Sequence, residues 1–496
     1  MTTPAGLLDL AETERLAALG GLDARTQGTL GQFFTPAAAS ALVASLPRLP
    51  KSGSLRVLDP GAGSGMLTAA LVARVLADRP DISVHVVAVE CDESVLPHLR
   101  ATLDACKAAG QGRITAEVIE ADFILAATAH GADHRLTGFD LVIQNPPYGK
   151  LAITSPYRQA VKRTSVDAPN LYAAFLALSV GALQPAGQLV AITPRSFCNG
   201  PYFGEFRRYL LDHLALDHVH VFESRSKVFA DTGVLQENVI FSGTREGRRD
   251  GVTLSVSSGH HDQVTTREVP YGDVVHPTDL HRFIRLTTNA DDTSVAERML
   301  ALPRSLRDLG IEVSTGRVVD FRSRSALYTE DPGGAFPLIY PGNIHGGNLQ
   351  WPRAIRKAQY FRPTEPKEKS LLLPEGWYTI VKRFSAKEER RRIVASVWSP
   401  SETPGPVAFE NHLNVFHIKG DGLDEQIARG LSVWLNSSLV DRFFRTFSGH
   451  TQVNATDLRT LRFPQQDSLR RLGEHESPTD QADIDALVSD VAAGPA

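Results

Sequence analysis

At 496 residues the chain is too long for one hydrophobic core and implies two large domains with smaller appendages. Its 22% charged and 42% hydrophobic residues are those of an ordinary globular protein, which excludes long disorder, and no apolar run approaches the about 18 residues of a membrane span. The net charge of −4 conceals a division: residues 301–465 carry 23 Lys/Arg against 17 Asp/Glu, residues 466–496 carry 2 against 7, and residues 1–300 carry 27 against 32. A mildly basic block between acidic neighbours is compatible with a local phosphate-binding face.

The N-terminal MTTPAGLLDLAETERLAALG carries acids inside its apolar pattern and lacks a basic n-region, so it does not read as a signal peptide. From about residue 55 to 245, short apolar strands alternate with helical patterns. The strands are LRVLD (55–59), SVHVVAVE (83–90), ITAEVIEADF (114–123), FDLVIQ (139–144), GQLVAIT (187–193), LDHVHVF (216–222) and ENVIFSG (237–243). This rhythm predicts right-handed βαβ units and an α/β fold, a doubly wound, mostly parallel, seven-stranded sheet of Rossmann-like type. The last two strands follow each other without a helix, so one of them can run antiparallel. Cys91, Cys106 and Cys198 are neither paired by spacing nor arranged like zinc ligands, which implies buried thiols in a cytoplasmic protein and no metal. Residues 1–245 form the expected catalytic domain and 246–300 a polar connecting region. Residues 301–465 form an α+β domain, and 466–496 an acidic tail expected to be a helix with a frayed end.

VLDPGAGSG (57–65) sets Asp59, Gly61, Gly63 and Gly65 between a strand and a helix. The spacing matches neither a dinucleotide fingerprint nor a P-loop, and such a turn alone is compatible with a purely structural role. The second strand, however, ends in Glu90, placed to accept hydrogen bonds from two ribose hydroxyls, and ligands of such sheets sit beyond the carboxyl ends of the strands. The third ends in EADF, offering Asp122 for an exocyclic amine and Phe123 for a purine face. Each acid alone is also a plausible helix cap; three at successive strand ends point to a nucleoside-bearing cofactor.

FDLVIQ runs into Asn145-Pro146-Pro147-Tyr148, where two prolines forbid continuation of the ladder. A planar amino group conjugated to a ring is a poor nucleophile because its lone pair is delocalised. Two acceptors on its N–H bonds localise that pair: the Asn145 side-chain oxygen and the Pro146 carbonyl, whose direction the rigid Pro147 sets. Tyr148 then stacks on the ring face.

These elements resemble the gamma-class S-adenosylmethionine-dependent DNA adenine-N6 methyltransferases of type II restriction–modification systems, within them the PstI/BsuBI-like kind, over nearly the whole chain. Gly31-Gln32-Phe33-Phe34-Thr35-Pro36 resembles that family's upstream cofactor segment, which implies cofactor contacts from Gln32, Phe34, Thr35 and Pro36. The glycine loop with Asp59, then Glu90, Asp122-Phe123 and Asn145 to Tyr148, follow in the family's order. SKVFADTGVLQENVIF looks like the later motif whose aromatic, here Phe229, packs on the extruded base. The implied reaction is direct transfer of methyl from sulfonium to N6 of a flipped-out adenine in duplex DNA, without a covalent enzyme intermediate.

A base-modifying enzyme needs a reader. VKRFSAKEERRR (381–392) concentrates Lys382, Arg383, Lys387, Arg390, Arg391 and Arg392, a density that suits DNA phosphates or guanine edges and equally a solvated helix. Asn343, His450 and Asn454 lie in amide-rich loops, as base contacts or turn formers. Glu365-Pro366-Lys367 has no acidic strand upstream, so a nuclease in the same chain is not expected and a cognate restriction endonuclease is a separate protein. The chain reads as a monomer or weak dimer. RNA adenine and a protein glutamine amide are the rival substrates, and a non-catalytic DNA-binding subunit the rival role.

Overall fold

The computed structural model describes residues 4–21, 34–129, 134–222, 238–257, 264–277, 279–286, 290–385, 389–401, 403–448, 452–474 and 480–492, in two compact units, 1–288 and 289–496. Unit 1 opens with helices α1 (Pro4–Gly21) and α2 (Ala37–Ser45). Then follow β1 (Ser54–Pro60), α3 (Met66–Asp78), β2 (Ser83–Glu90), α4 (Leu96–Gly110), β3 (Ile114–Glu120), α5 (Phe123–Thr128) and β4 (Phe139–Gln144). The chain continues through α6 (Pro156–Lys162), α7 (Leu171–Ala182), β5 (Leu183–Pro194), α8 (Gly204–His213), β6 (Leu214–Phe222) and β7 (Asn238–Arg245).

These strands lie in the order β3-β2-β1-β4-β5-β7-β6. All neighbours are parallel except β7, which runs antiparallel between β5 and β6, an orientation the sequence allowed for one of the last two strands. Both faces are covered, so the strands are near-continuous apolar runs. On β4, Leu141 and Ile143 enter the core shared with α3 and α4, while Phe139 and Val142 enter the core shared with α7 and α8. Strand order reverses between β1 and β4, which opens a crevice at their carboxyl ends.

The expected connector is corrected. Residues 251–257 and 265–270 form β8 and β9, which extend the sheet to nine strands, β8 pairing parallel to β6. GVTLSVS alternates Val252, Leu254 and Val256 with polar residues, a strand signal made weak by its shortness, and its pairing with β6 is a contact distant in sequence. Asp122 and Phe123 likewise leave the third strand: β3 stops at Glu120, and Asp122 caps α5 by accepting a hydrogen bond from Leu125 N at 2.9 Å.

Unit 2 has helices and two small four-stranded sheets. One is antiparallel, in the order Glu312–Thr315, Leu413–His417, Tyr378–Lys382, Ala395–Trp398. The other joins Leu327–Tyr328, Tyr360–Phe361, Phe336–Ile339 and Ala408–Phe409. The tail from 466 is helical, as expected, at Gln466–Gly473 and Gln481–Ala492; the first helix docks on Glu425–Leu435, with Gly430 and Gly473 in backbone contact at the crossing. A side chain at either glycine would strike the opposing backbone. Among the described residues no helix is long and apolar enough to cross a membrane.

Candidate active site

The turn after β1 is laid across the end of β2: the N–H groups of Gly61 and Ala62 donate to Val89 O at 2.8 and 3.0 Å. Gly61, Gly63 and Gly65 have φ of +69°, +55° and +84°, which explains three glycines. A Cβ at Gly63 would stand 3.0 Å from the Phe34 ring and one at Gly61 3.2 Å from Phe175. Gly65 instead begins α3 and seats the loop against Leu99 and Thr102.

Glu90 organises this loop. Its Oε2 accepts from Gly63 N at 2.9 Å, and its Oε1 from Cys91 N and Asp92 N at 2.8 and 2.9 Å. Three donors leave part of the carboxylate's capacity of about four lone-pair sites free for a ligand. Beneath it Asp59 is 1% exposed and accepts from Thr68 Oγ1 at 2.7 Å. Burial pushes its carboxyl up to about 7; the Thr68 hydrogen bond opposes this shift and the Glu90 charge adds to it.

Gly61, Gly63 and Glu90 wall a cavity of about 760 Å³ together with Phe34, Asp92, Asp122, Phe123, Asn145, Pro147 and Tyr157, whereas Asp59, Gly65, Pro146 and Tyr148 are not in its lining. Phe123 is buried against Phe175, ring centroids 5.1 Å apart. Cys91, unlike the buried Cys106 and Cys198, is exposed rather than buried as expected; partial desolvation and then the charges of Glu90, Asp122 and Asp92 raise its thiol to about 11, and Asp122, foremost, raises the Tyr157 phenol. An acidic, partly aromatic cavity beneath a glycine turn suits a cationic nucleoside. Among the described residues no three His, Cys, Asp or Glu groups converge as metal ligands.

The Asn-Pro-Pro-Tyr turn is held from two sides. Gly149 O accepts from Leu171 N at 2.8 Å and Leu151 N donates to Pro169 O at 3.0 Å, tying the turn to the start of α7. That start is capped by Asn170, which accepts from Ala173 N at 3.0 Å. Asn145 Nδ2 donates to Thr35 Oγ1 at 2.9 Å, and Tyr148 Oη donates to Asn145 Oδ1 at 3.0 Å. Burial raises the Tyr148 phenol far above its ordinary range, which keeps it a neutral donor. Its ring meets Tyr172 edge-on at 6.3 Å, and Tyr172 is hydrogen-bonded to Ser196 at 2.8 Å.

Thus Phe34, Gly61, Gly63, Glu90, Asp122, Phe123 and Asn145 converge on one cavity. Thr35 and Pro36 stand behind its wall, Thr35 under Asn145 and Pro36 at the start of α2; Pro146 is buried. Gln32, Phe229, Lys387 and His450 lie outside the described residues. Sequence reasoning missed Phe175, Leu171 and Tyr157. The first two sit in a helix apolar on every side, so nothing singled them out, whereas Tyr157 had the cue of following the Asn-Pro-Pro-Tyr turn closely.

The basic segment in unit 2 needs correction. Arg392 is 0% exposed; its guanidinium reaches Ser385 Oγ at 3.2 Å and lies over the Phe444 ring at 5.4 Å. It is a core cation, excluded from phosphate by its own packing. Lys382 ends a strand, and burial lowers its ammonium and the Arg391 guanidinium below their ordinary values. Arg383 Nη1 donates to Asn411 O at 3.3 Å. Of this group Arg390 alone, among the described residues, is exposed. Asn343 and Asn454 are helix-capping turn formers, and Glu365 caps the short helix Pro366–Lys369.

A family model described as Eco57I restriction-modification methylase matches residues 102–229. Over the full length the chain is similar to the type II methyltransferase M.BsuBI of Bacillus subtilis, 40% identical over 481 residues, covering 94% of this chain and 95% of that one. M.PstI of Providencia stuartii is 39% identical over 499 residues, covering 98% and 97%. In fold alone the chain is similar to the type IIL restriction-modification enzyme MmeI solved in complex with DNA, at TM-score 0.53 and 10% identity over 100% of this chain and 76% of that one. The glycine turn, the Glu90 carboxylate and the acidic cavity fit S-adenosylmethionine, the cofactor of this class of fold. The chain belongs to the type II methyltransferases of restriction–modification systems, S-adenosylmethionine-dependent enzymes that act on DNA.

Proposed function

We propose that the enzyme methylates N6 of an adenine swung out of duplex DNA, and that a separate restriction endonuclease cuts the same sequence when it is unmodified. The observation that carries this reading is the Asn145 carboxamide in the wall of the cavity that Gly61 and Glu90 also line. When bound, S-adenosylmethionine supplies an electrophilic methyl group on its sulfonium. The chain's own work lies at the amine. Asn145 Oδ1 and the Pro146 carbonyl accept the two N6 hydrogens, localising the nitrogen lone pair where attack occurs. Thr35 ties the Asn145 amide nitrogen, which turns Oδ1 toward the target. Tyr148 yields its hydrogen bond to Asn145 when the base enters and packs against the ring, offsetting part of the few kcal/mol that extrusion costs.

The test is transfer of tritiated methyl to duplex DNA, RNA and a release-factor protein in parallel, followed by nucleoside analysis. Expected are N6-methyladenine in DNA and its loss in Asn145→Ala with cofactor binding retained. Label on cytosine, on RNA alone or on protein alone rejects the reading.

A further inference from the structure

Of the basic segment that composition singled out, Arg392 is buried in the core of unit 2 and Lys382, Arg383 and Arg391 are half-buried, whereas a second set of cations is exposed. They gather at Asp320–Arg322, a tight turn inside STGRVVDFR. The turn is anchored behind: Val318 N donates to Phe409 O at 3.0 Å and Asn411 N donates to Val318 O at 2.9 Å. It is pinned in front, because Asp320 accepts from Tyr340 Oη at 2.8 Å and Lys357 Nζ at 2.7 Å. At its tip Phe321 is 67% exposed, with the Arg322 guanidinium 5.3 Å from its ring centroid. Arg322, Arg324 and Arg356 are exposed and, among the described residues, have no carboxylate partner.

A lone exposed apolar residue needs no explanation. An exposed ring on a backbone pinned at both sides, beside unpaired guanidiniums, is a different object. A protein partner would be expected to answer those cations with carboxylates; duplex DNA answers them with phosphates and offers base and sugar faces to the ring. We infer that the Asp320–Arg322 turn enters a DNA groove, with Phe321 against base or sugar faces and Arg322 and Arg324 on flanking phosphates. This rests on DNA being the substrate and is independent of which base atom is methylated.

The test is fluorescence anisotropy of the full-length enzyme on a labelled duplex of mixed sequence, titrated with salt. Arg322→Ala with Arg324→Ala lowers the slope of log affinity against log salt by about two, at about 0.9 per phosphate contact. The Lys pair at the same positions keeps the wild-type slope. Phe321→Ala weakens binding about tenfold, the loss of roughly one stacked contact, with the slope unchanged, and Phe321→Trp retains affinity. An unchanged slope in the Ala pair, or wild-type affinity in Phe321→Ala, overturns the inference. So does altered self-association in Phe321→Ala with DNA affinity intact, which would assign this face to a second copy.

Discussion

Replacing Asp59 with Asn tests the electrostatics beneath the glycine turn. In the folded chain burial raises this carboxyl from 3.8 to about 7, and it is 1% exposed. Because the folded value lies above the unfolded one, its contribution is fully present below about pH 4 and is lost as pH rises through about 7. A gap of about three units at 1.36 kcal/mol each sets an upper figure of about 4 kcal/mol, and relaxation around the ionised group lowers this to roughly 2–4 kcal/mol. The amide stays neutral at every pH and can still accept the Thr68 hydrogen bond. Denaturant unfolding followed at about pH 5 and about pH 8 reads the effect, with the difference between the two proteins removing every other titrating group. The variant should gain on wild type between the two pH values, by up to about 3 kcal/mol over the roughly two units from pH 5 to the folded value of about 7. Parallel curves for the two proteins across this range would refute a buried, neutralised Asp59.

Thr35→Val leaves the Asn145 amide hydrogen without its 2.9 Å partner; a cost of about 1–3 kcal/mol means a roughly 5- to 150-fold lower single-turnover rate at unchanged cofactor affinity. Thr35→Ser should restore the rate, whereas a lost cofactor affinity at normal rate would make Thr35 a cofactor contact instead. Tyr148→Phe removes the hydroxyl that occupies Asn145 Oδ1 while keeping the ring, so kcat should stay within about threefold of wild type, and Tyr148→Ala should lose about 1–3 kcal/mol of stacking in target binding. A kcat collapse in the Phe variant would give the hydroxyl a catalytic role. Arg392→Ala should destabilise unit 2 by about 2–4 kcal/mol and leave the salt slope of DNA binding intact; a slope lowered by about one with normal stability would return Arg392 to the DNA surface.

Local chemistry was legible before any coordinates. Paired prolines end a strand, positive φ favours glycine, and an apolar run flanked by such signals is a buried strand; the Asn-Pro-Pro-Tyr turn, the glycine turn and the positions of β1 to β7 all follow from this short-range physics. What arises from contacts distant in sequence was not. β8 carries a weak alternating pattern that leaves its partner β6 open, and nothing in Gln466–Gly473 announces that its helix packs backbone to backbone on Gly430. Arg392 and Arg390 are two residues apart in one basic run, yet one is enclosed by Ser385, Ser448 and Phe444 and the other faces solvent. Charge is a property of the residue type, but whether water or protein surrounds it is decided by what folds over it.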